Sequence, residues 1–203
     1  KKGFHAVALA DGRYHDRRAS ADVADLVAWS VDTLRARVIA VDAPCGWGTP
    51  GHGRLAERAL MQQRIWCFST PAQCDAARHP AGYFDWMLHG AALFAALRPT
   101  HPVAATWPPT AAPYSFETFP HAITWHLRGG HASAKQKRTQ RRELLQRHGI
   151  DTTALTNIDW VDAALCALTA HDAATGRPMT HFGDPATGFI VVPAQISSGA
   201  RVN

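Results

Sequence analysis

The sequence predicts one α/β domain spanning residues 1–203, with a mixed β-sheet flanked by helices on both faces. The length fits a single domain, because globular domains commonly contain ~100–200 residues. Hydrophobic residues make up 46% of the chain and charged residues 18%, which provides enough apolar surface for a core. Strand-like segments alternate with segments of helical periodicity, and this alternation is typical of a partly parallel sheet covered by helices.

The individual elements follow from periodicity and from the residues at segment ends. Phe4–Ala10 alternates and precedes an Asp-Gly dipeptide that favours a hairpin, so a second strand is expected over residues 13–17. Ser20 is expected to cap a helix over residues 21–35. Further helices are expected over residues 54–63, 83–97, 120–128, 133–148 and 159–174, and further strands over residues 38–41, 114–119 and 189–193.

The charge balance permits a polyanionic partner without requiring one. Lys and Arg number 21 and Asp and Glu number 16, a net charge of +5 with the 12 His counted as neutral. Nucleic acid, DNA or RNA, is therefore one expected class of partner. The oligomeric state is left open.

The cysteine pattern and the hydropathy profile bear on compartment. None of the four cysteines belongs to a C-x-x-C pair, so neither a zinc site nor a disulfide framework is indicated, and reduced thiols in a cytoplasmic protein are expected. No apolar run approaches the ~18 residues that span a membrane. The first residues contain no signal-peptide core and no initiator Met, which leaves open that native residues precede Lys1.

Acidic residues at particular segment ends are candidate catalytic residues and metal ligands. Asp42 follows a buried strand, Glu117 lies in a short aromatic strand, and Asp162 stands near the start of a helix, with Asp159 as a reserve ligand. In open α/β sheets, functional groups gather beyond the carboxyl ends of the strands. Carboxylates that meet there favour Mg²⁺ or Mn²⁺. A pair of such ions can bind the attacking and leaving oxygens of a phosphodiester during hydrolysis.

Each acidic residue also has a purely structural interpretation. Asp42 precedes Ala-Pro and could form a turn, whereas Glu117 could face solvent from its strand. Asp159 and Asp162 could be first-turn acids that the helix dipole favours. The pattern alone does not establish that the carboxylates meet in space.

Basic residues provide a candidate phosphate-binding surface. Lys135, Arg138 and Arg142 recur at i, i+3 and i+7, which places them on one face of the expected basic helix. Such a stripe either neutralises phosphates or forms a solvated face, and Lys135 could alternatively reach the acidic residues. Arg54 and Glu57 follow a Gly-rich loop and would either line the same cleft or form a surface ion pair.

Several segments, taken in order, resemble the successive motifs of a known family. They are IAVDAP at 39–44, ETFPHA at 117–122 and DAALCALTA at 162–170, together with residues 54–60, 135–145, 183–185 and 188–193. In these motifs the chain resembles a family of uncharacterised domains, numbered 429, described as predicted ribonuclease-H-like nucleases. The resemblance covers nearly the whole chain. It implies a ribonuclease-H-like fold and a metal-dependent nuclease activity.

The chain departs from the family pattern at the first strand. Ribonuclease-H-like enzymes carry their first catalytic Asp there, and this family usually has Gly-Ile/Val-Asp, but nothing matching it precedes Lys1. Residues 2–7 resemble the segment that normally follows that Asp. The resemblance therefore implies that the first strand and its Asp either lie upstream of residue 1 or are lacking in this protein.

Three functions stay open on the sequence. The leading hypothesis is a Mg²⁺- or Mn²⁺-dependent nuclease with Asp42, Glu117 and Asp162 as its metal ligands. A non-catalytic module that binds nucleic acid or protein is favoured by the missing first-strand Asp and opposed by the retained acidic residues. Nucleotide-dependent phosphoryl transfer occurs in larger, two-lobed relatives of this architecture, so a single lobe of 203 residues disfavours it.

Overall fold

A computed structural model describes residues 3–195, which form an α/β fold with a mixed sheet flanked by helices. This confirms the predicted fold class. The strands are β1 (Phe4–Ala10), β2 (Arg13–Ser20), β3 (Val38–Val41), β4 (Tyr114–Glu117), β5 (Met179–Asp184) and β6 (Gly188–Pro193). The helices are α1 (Val23–Val27), α2 (Leu55–Gln62), α3 (Gln73–Arg78), α4 (Asp85–Leu97), α5 (Pro120–Leu127), α6 (Lys137–Arg147) and α7 (Ile158–Ala174).

The strands are divided between two sheets. The larger sheet has the order β3-β4-β6-β5, in which β3, β4 and β6 are parallel and β5 is antiparallel to β6. The hairpin of β1 and β2 forms a separate antiparallel sheet. Val41 pairs with Glu117, so the carboxyl ends of β3 and β4 lie side by side. This edge is where the sequence predicts the acidic site.

The first expected helix starts later than predicted. Ser20 was expected to be its cap, but Ser20 pairs with Phe4 in the hairpin and belongs to β2. Asp22 caps α1 instead, and its side chain accepts a hydrogen bond of 2.9 Å from the backbone of Ala24. The helix then continues as a π-helix over Ala28–Thr33 rather than as one regular α-helix.

Other element boundaries also differ from the expectations. The basic helix α6 begins at Lys137, because the preceding Ala134–Gln136 forms a 3₁₀ turn. β4 ends at Glu117 rather than at residue 119. No local pattern predicts α3 or β5. All six residues of β5 pair antiparallel with β6.

Apolar side chains form three clusters around the sheets. The largest joins α2, α5, α6 and α7 to Phe182, Ile190 and Val192 of β5 and β6. A second joins α1 and α4 to β3. The third lies between β4 and β6, where Trp107 packs with its ring 5.3 Å from that of Phe116. Helices and loop segments therefore remove apolar sheet residues from water, which is the main favourable term in folding.

A cavity of about 860 Å³ separates the hairpin from the larger sheet. β1 and β3 line its two sides, and residues of α7 and of α1 and α4 line its other walls. Asp42, Asp159 and Asp162 also line it. The cavity thus extends from the strand edges to the acidic residues.

The cysteines and the helices bear on the expectations about compartment and membrane spans. Cys45, Cys67, Cys74 and Cys166 are all free thiols. Burial in α7 raises the pKa of Cys166 well above its usual value. Over residues 3–195, no helix combines the length and the apolar character needed to cross a bilayer.

Candidate active site

Asp42 and Asp162 come together beyond the carboxyl end of β3. Asp42 is the first residue after β3, and Asp162 lies in the second turn of α7. Loss of contact with water and, to a smaller extent, the negative charges of Asp162 and Glu117 together raise the pKa of Asp42 to about 7, against an opposing effect of Arg141. The two aspartates are therefore close enough to repel each other electrostatically.

Asp42 is solvent-accessible, but it lies in a cavity of the protein. The Asp42 residue is exposed. Asp42 lines the cavity between β1 and β3 together with residues of α4 and α7. We therefore assign the raised pKa to this enclosure, because the carboxylate has exchanged part of its water shell for protein.

Asp162 is held by a buried arginine. Arg141 of α6 forms an ion pair with the Asp162 carboxylate, and the two side chains are 7% and 20% exposed. Burial still raises the pKa of Asp162, because it outweighs the opposing effects of Arg141 and Lys137. Asp162 is thus subject to the like charge of Asp42, just beyond β3, and to the opposite charges of Arg141 and Lys137 on α6.

Glu117 is occupied by a different set of partners. Its two oxygens accept hydrogen bonds of 2.6 Å each from the two terminal nitrogens of Arg54. One of these oxygens also accepts a 2.8 Å bond from the backbone amide of Cys45. Only 4% of Glu117 is exposed, so its interpretation as a solvent-facing strand residue is wrong. The bidentate geometry fixes Glu117 as an acceptor for arginine.

The Arg54 network continues into α2. Arg54 is the N-cap of α2, and Glu57 accepts bonds from its backbone amide at 3.2 Å and from its Nε at 2.9 Å. Glu57 also accepts bonds from the backbone amide and the hydroxyl of Thr70. Arg54 and Glu57 are 1% and 2% exposed, so the expected surface ion pair is a buried one. Contact between Arg54 and a substrate would need this network to open.

The acidic residues do not form a complete metal cage. Within residues 3–195, no group of three or more His, Cys, Asp and Glu side chains has the arrangement needed to hold a metal ion. Asp42 and Asp162 share the cavity, Asp159 lines it too, and Glu117 interacts with Asp42 only through its charge. The structure therefore brings together two of the three main candidate ligands and places the third in an adjoining network.

The basic residues predicted to form one stripe have different environments. Lys135 lies in the 3₁₀ turn before α6, and Arg138 is exposed on α6 itself. Arg142 instead donates hydrogen bonds to the carbonyl oxygens of Thr152 and Leu155, which fixes the loop after α6. The predicted helical stripe is therefore correct only in part, because Lys135 precedes the α-helix, which starts at Lys137, whereas Arg138 and Arg142 lie four residues apart on α6.

Arg141 is the site residue that sequence reasoning missed. The signal was present in the helix itself, since Leu144 and Leu145 are buried and Arg141 precedes them by three and four residues. Residues at these spacings share a helical face, so Arg141 points inward, where Asp162 accepts its hydrogen bond. The spacing of the buried leucines therefore identifies the buried face of α6, which the positions of the basic residues alone do not.

A family model matches most of the chain, including every candidate residue. The model of the protein family of unknown function DUF429 matches residues 1–187. The chain belongs to this family. Comparison with curated proteins and with solved structures finds no match. The DUF429 description assigns no activity, so the activity of the chain has to be argued from its own residues.

Proposed function

We propose that this DUF429 protein is a divalent-metal-dependent nuclease that hydrolyses phosphodiester bonds in DNA or RNA. One observation carries the proposal. Asp42 and Asp162 line one cavity beyond the carboxyl end of a parallel strand, and the negative charge of Asp162 contributes to raising the pKa of Asp42 to about 7. A cation between two such carboxylates relieves the repulsion, so the pair is suited to binding one.

The donor set fits a hexacoordinate hard cation only in part. Mg²⁺ commonly binds proteins through one or two carboxylates and keeps several waters or substrate oxygens. Asp42 and Asp162 supply such a pair, and Asp159 lines the same cavity as a reserve ligand. Glu117 is already held by Arg54 and Cys45, so we leave it outside the ligand set in this conformation. A bound Mg²⁺ or Mn²⁺ would act as a Lewis acid on the phosphodiester.

The surrounding residues have separate roles in this proposal. Arg141 positions the Asp162 carboxylate through their ion pair. Lys135 and Arg138 are exposed and supply positive charge for the phosphate backbone. The Arg54 network fixes the carboxyl end of β4 beside Asp42. We place the protein in the cytoplasm, where its four free thiols would stay reduced.

A non-catalytic binding module is the second candidate. Two observations favour a binding module. Within residues 3–195 no complete set of metal ligands is present, and the carboxylate of Glu117 is already hydrogen-bonded to Arg54. Such a module would use the same exposed basic residues but would not need the repulsive aspartate pair. It predicts nucleic-acid or protein binding without any dependence on Asp42.

The test is Mn²⁺-dependent cleavage of a panel of labelled DNA and RNA by the full-length protein. Wild-type protein should cleave at least one substrate, and Asp42→Asn and Asp162→Asn should each abolish the cleavage. Asp32→Asn is the matched control, because Asp32 is an exposed aspartate that does not line the cavity. Thermal unfolding of each variant shows whether it is folded.

The outcomes separate the two candidates. Cleavage that is lost in the cavity variants and kept in the Asp32 control supports the nuclease. Binding of the labelled strands by folded wild type, without cleavage and with equal affinity in Asp42→Asn, supports the binding module. Cleavage that persists in both cavity variants overturns the assignment of Asp42 and Asp162.

A further inference from the structure

Exposed aromatic side chains are concentrated in one part of the chain. Within residues 3–195, the exposed large hydrophobic side chains all belong to the segment 55–86, and they are Leu55 (45% exposed), Trp66 (74%), Phe68 (63%), Tyr83 (55%) and Trp86 (42%). Four of these five are aromatic. Scattered exposed apolar residues are common on protein surfaces, whereas apolar residues that form one exposed patch mark an interaction site.

Phe68 and Trp86 form one surface although they belong to different segments. Their ring centroids are 6.1 Å apart and the ring planes meet at 62°, an edge-to-face arrangement. In such a pair, the ring that contributes its edge keeps both faces free. Trp66 is exposed too, whereas Cys67 is partly buried and its thiol donates a 3.8 Å hydrogen bond to the carbonyl oxygen of Glu57. Trp66 and Phe68 therefore lie on the solvent side of their segment.

Hydrogen bonds fix the backbone that carries Phe68. The carboxylate of Glu57 accepts bonds from the hydroxyl of Thr70 and, at 2.9 Å, from its backbone amide. The next residue, Pro71, accepts a 3.0 Å bond from the backbone amide of Gly48. A ring on a fixed backbone loses little freedom when a ligand binds, which favours affinity.

The direction of α4 brings its first turn to the acidic residues. An ideal Cβ on Gly90 would lie 2.3 Å from the Cβ of Ala43, just beyond the end of β3. After the end of α4, the His101 ring is 2.7 Å from the carbonyl oxygen of Ala36, which precedes β3. α4 therefore runs antiparallel to β3, and its first turn extends past the carboxyl end of that strand.

Trp86 lies in this first turn, next to the aspartate pair. Trp86 and Gly90 share a helical face and are separated by one turn, a rise of about 6 Å. Gly90 contacts the residue that follows Asp42, and Trp86 lines the same cavity as Asp42 and Asp162. Nucleotides stacked in one strand repeat every ~3.4 Å, so the Trp86 ring lies within a few nucleotides of a phosphodiester at Asp42.

We propose that Phe68 and Trp86 stack against the bases of a single-stranded DNA or RNA whose phosphodiester lies at Asp42 and Asp162. This inference rests on the proposed nuclease function and names its substrate class. Every base has an apolar face, so stacking on aromatic rings tolerates any sequence. In a duplex each base is stacked between its neighbours and has to be extruded before it can reach a ring. Single strands are therefore preferred.

Stacking rather than charge supplies the affinity at these rings. The exposed Asp and Arg side chains between residues 64 and 85 are Arg64, Asp75, Arg78 and Asp85, whose charges cancel. The salt dependence of binding arises from phosphate contacts that release counterions, and a stacked base releases none. Loss of a ring should therefore lower the affinity without changing its salt dependence.

The test is fluorescence anisotropy of the full-length protein with labelled single strands and with the matching duplexes, in EDTA so that no cleavage occurs. Wild type should bind the single strands more tightly. Phe68→Ala and Trp86→Ala should each weaken single-strand binding about 10-fold, the effect of losing one stacked base, and leave duplex affinity and the salt slope unchanged. Trp86→Phe keeps a ring and should keep most of the affinity.

Leu55→Ala is the matched control. Leu55 is 45% exposed against 42% for Trp86, but it carries no ring, so its loss should leave single-strand affinity unchanged. Thermal unfolding shows whether each variant is folded. If Trp86→Ala does not fold, Phe68→Ala and Trp86→Phe still decide the outcome.

The outcomes separate this inference from the proposed nuclease. Single-strand affinity that is unchanged in both ring variants, or lost equally in Leu55→Ala, would overturn the stacking surface whether or not Mn²⁺ supports cleavage. Wild-type dimers that Phe68→Ala dissociates in sedimentation, with unchanged single-strand affinity, would assign the rings to contacts between copies and overturn it too. Ring-dependent binding without Mn²⁺-dependent cleavage would support the stacking surface and count against the nuclease alone.

Discussion

At the residue scale, the acidic residues of this DUF429 chain serve two different purposes. Asp42 and Asp162 repel each other in an enclosed cavity, an arrangement that costs stability and is typical of functional sites. Glu117 and Glu57 are instead satisfied by Arg54, Thr70 and a backbone amide. The same residue types therefore form a destabilising pair and a stabilising network a short distance apart.

The buried Arg54 network should be essential for stability. Arg54→Met would leave the carboxylates of Glu117 and Glu57 buried without their main partner, and removal of one partner of a buried ion pair costs about 3–5 kcal/mol. Urea denaturation would measure the loss. Arg18→Met is the control, because the Arg18 side chain is 47% exposed in its ion pair with Asp25 and solvent-exposed ion pairs contribute little to stability. Equal effects of the two substitutions would contradict the structural role of Arg54.

The enclosed Asp42 should make the stability of the metal-free protein depend on pH. Its pKa is about 7 in the folded protein against an ordinary value of 3.8, so the folded state holds the proton more tightly than the unfolded state. The stabilising contribution is fully present below pH 3.8 and is lost as the pH rises to about 7. Asp42→Asn should remove this loss, so the variant should gain stability over wild type across that interval.

Urea titrations at a series of pH values would measure the effect. Asp42→Ser is the control, because it also lacks the carboxyl group and should give the same change in the pH profile. A difference between wild type and Asp42→Asn that stays constant from pH 4 to pH 8 would show that the carboxyl is solvated like an ordinary aspartate.

At the element scale, the helices and strands that are predictable from sequence are those with a strong local pattern of apolar residues. Alternation predicted β1 at its observed bounds, and a β-branched run predicted β3. Helical periodicity predicted α7 to within a residue at its start. By contrast, β5 is defined by its pairing with β6, and α3 has only six residues, so neither carries enough local pattern to predict.

One close helix contact positions the end of β3. An ideal Cβ built on Gly90, in the middle of α4, would lie only 2.3 Å from the Cβ of Ala43, next to Asp42. Gly90→Ala should therefore destabilise the protein by about 1–3 kcal/mol through overpacking. This would occur although alanine is the better helix former by about 1 kcal/mol.

A double substitution tests the cause. Adding Ala43→Gly removes the opposing Cβ and should recover most of the stability lost in Gly90→Ala, which chemical denaturation of the four proteins in the cycle would show. Additive losses in the double variant would mean that the contact between Gly90 and Ala43 is not responsible.

At the scale of the whole molecule, the sequence predicted the layered α/β architecture but not the division into two sheets. Strand pairing depends on contacts between distant segments, such as β3 with β4, which local patterns do not encode. The position of Asp42 at a sheet edge was predictable because it directly follows a strand. The partners of Glu117 and Asp162 were not, since Arg54 and Arg141 reach them across 63 and 21 residues of sequence.

The distribution of exposed charge across the molecule leads to a prediction about nucleic-acid binding. If the exposed Lys135 and Arg138 each neutralise one phosphate, Lys135→Gln with Arg138→Gln should weaken binding to duplex DNA and flatten its salt dependence. Each lost contact changes the slope of log K against log salt concentration by about 0.9, so the slope should fall in magnitude by about 2. Arg13→Gln with Arg98→Gln removes the same charge from exposed positions elsewhere and should leave the slope nearly unchanged. Fluorescence anisotropy at several salt concentrations would measure both slopes. Equal changes of slope in the two double variants would show that binding depends on net charge rather than on the surface at the start of α6.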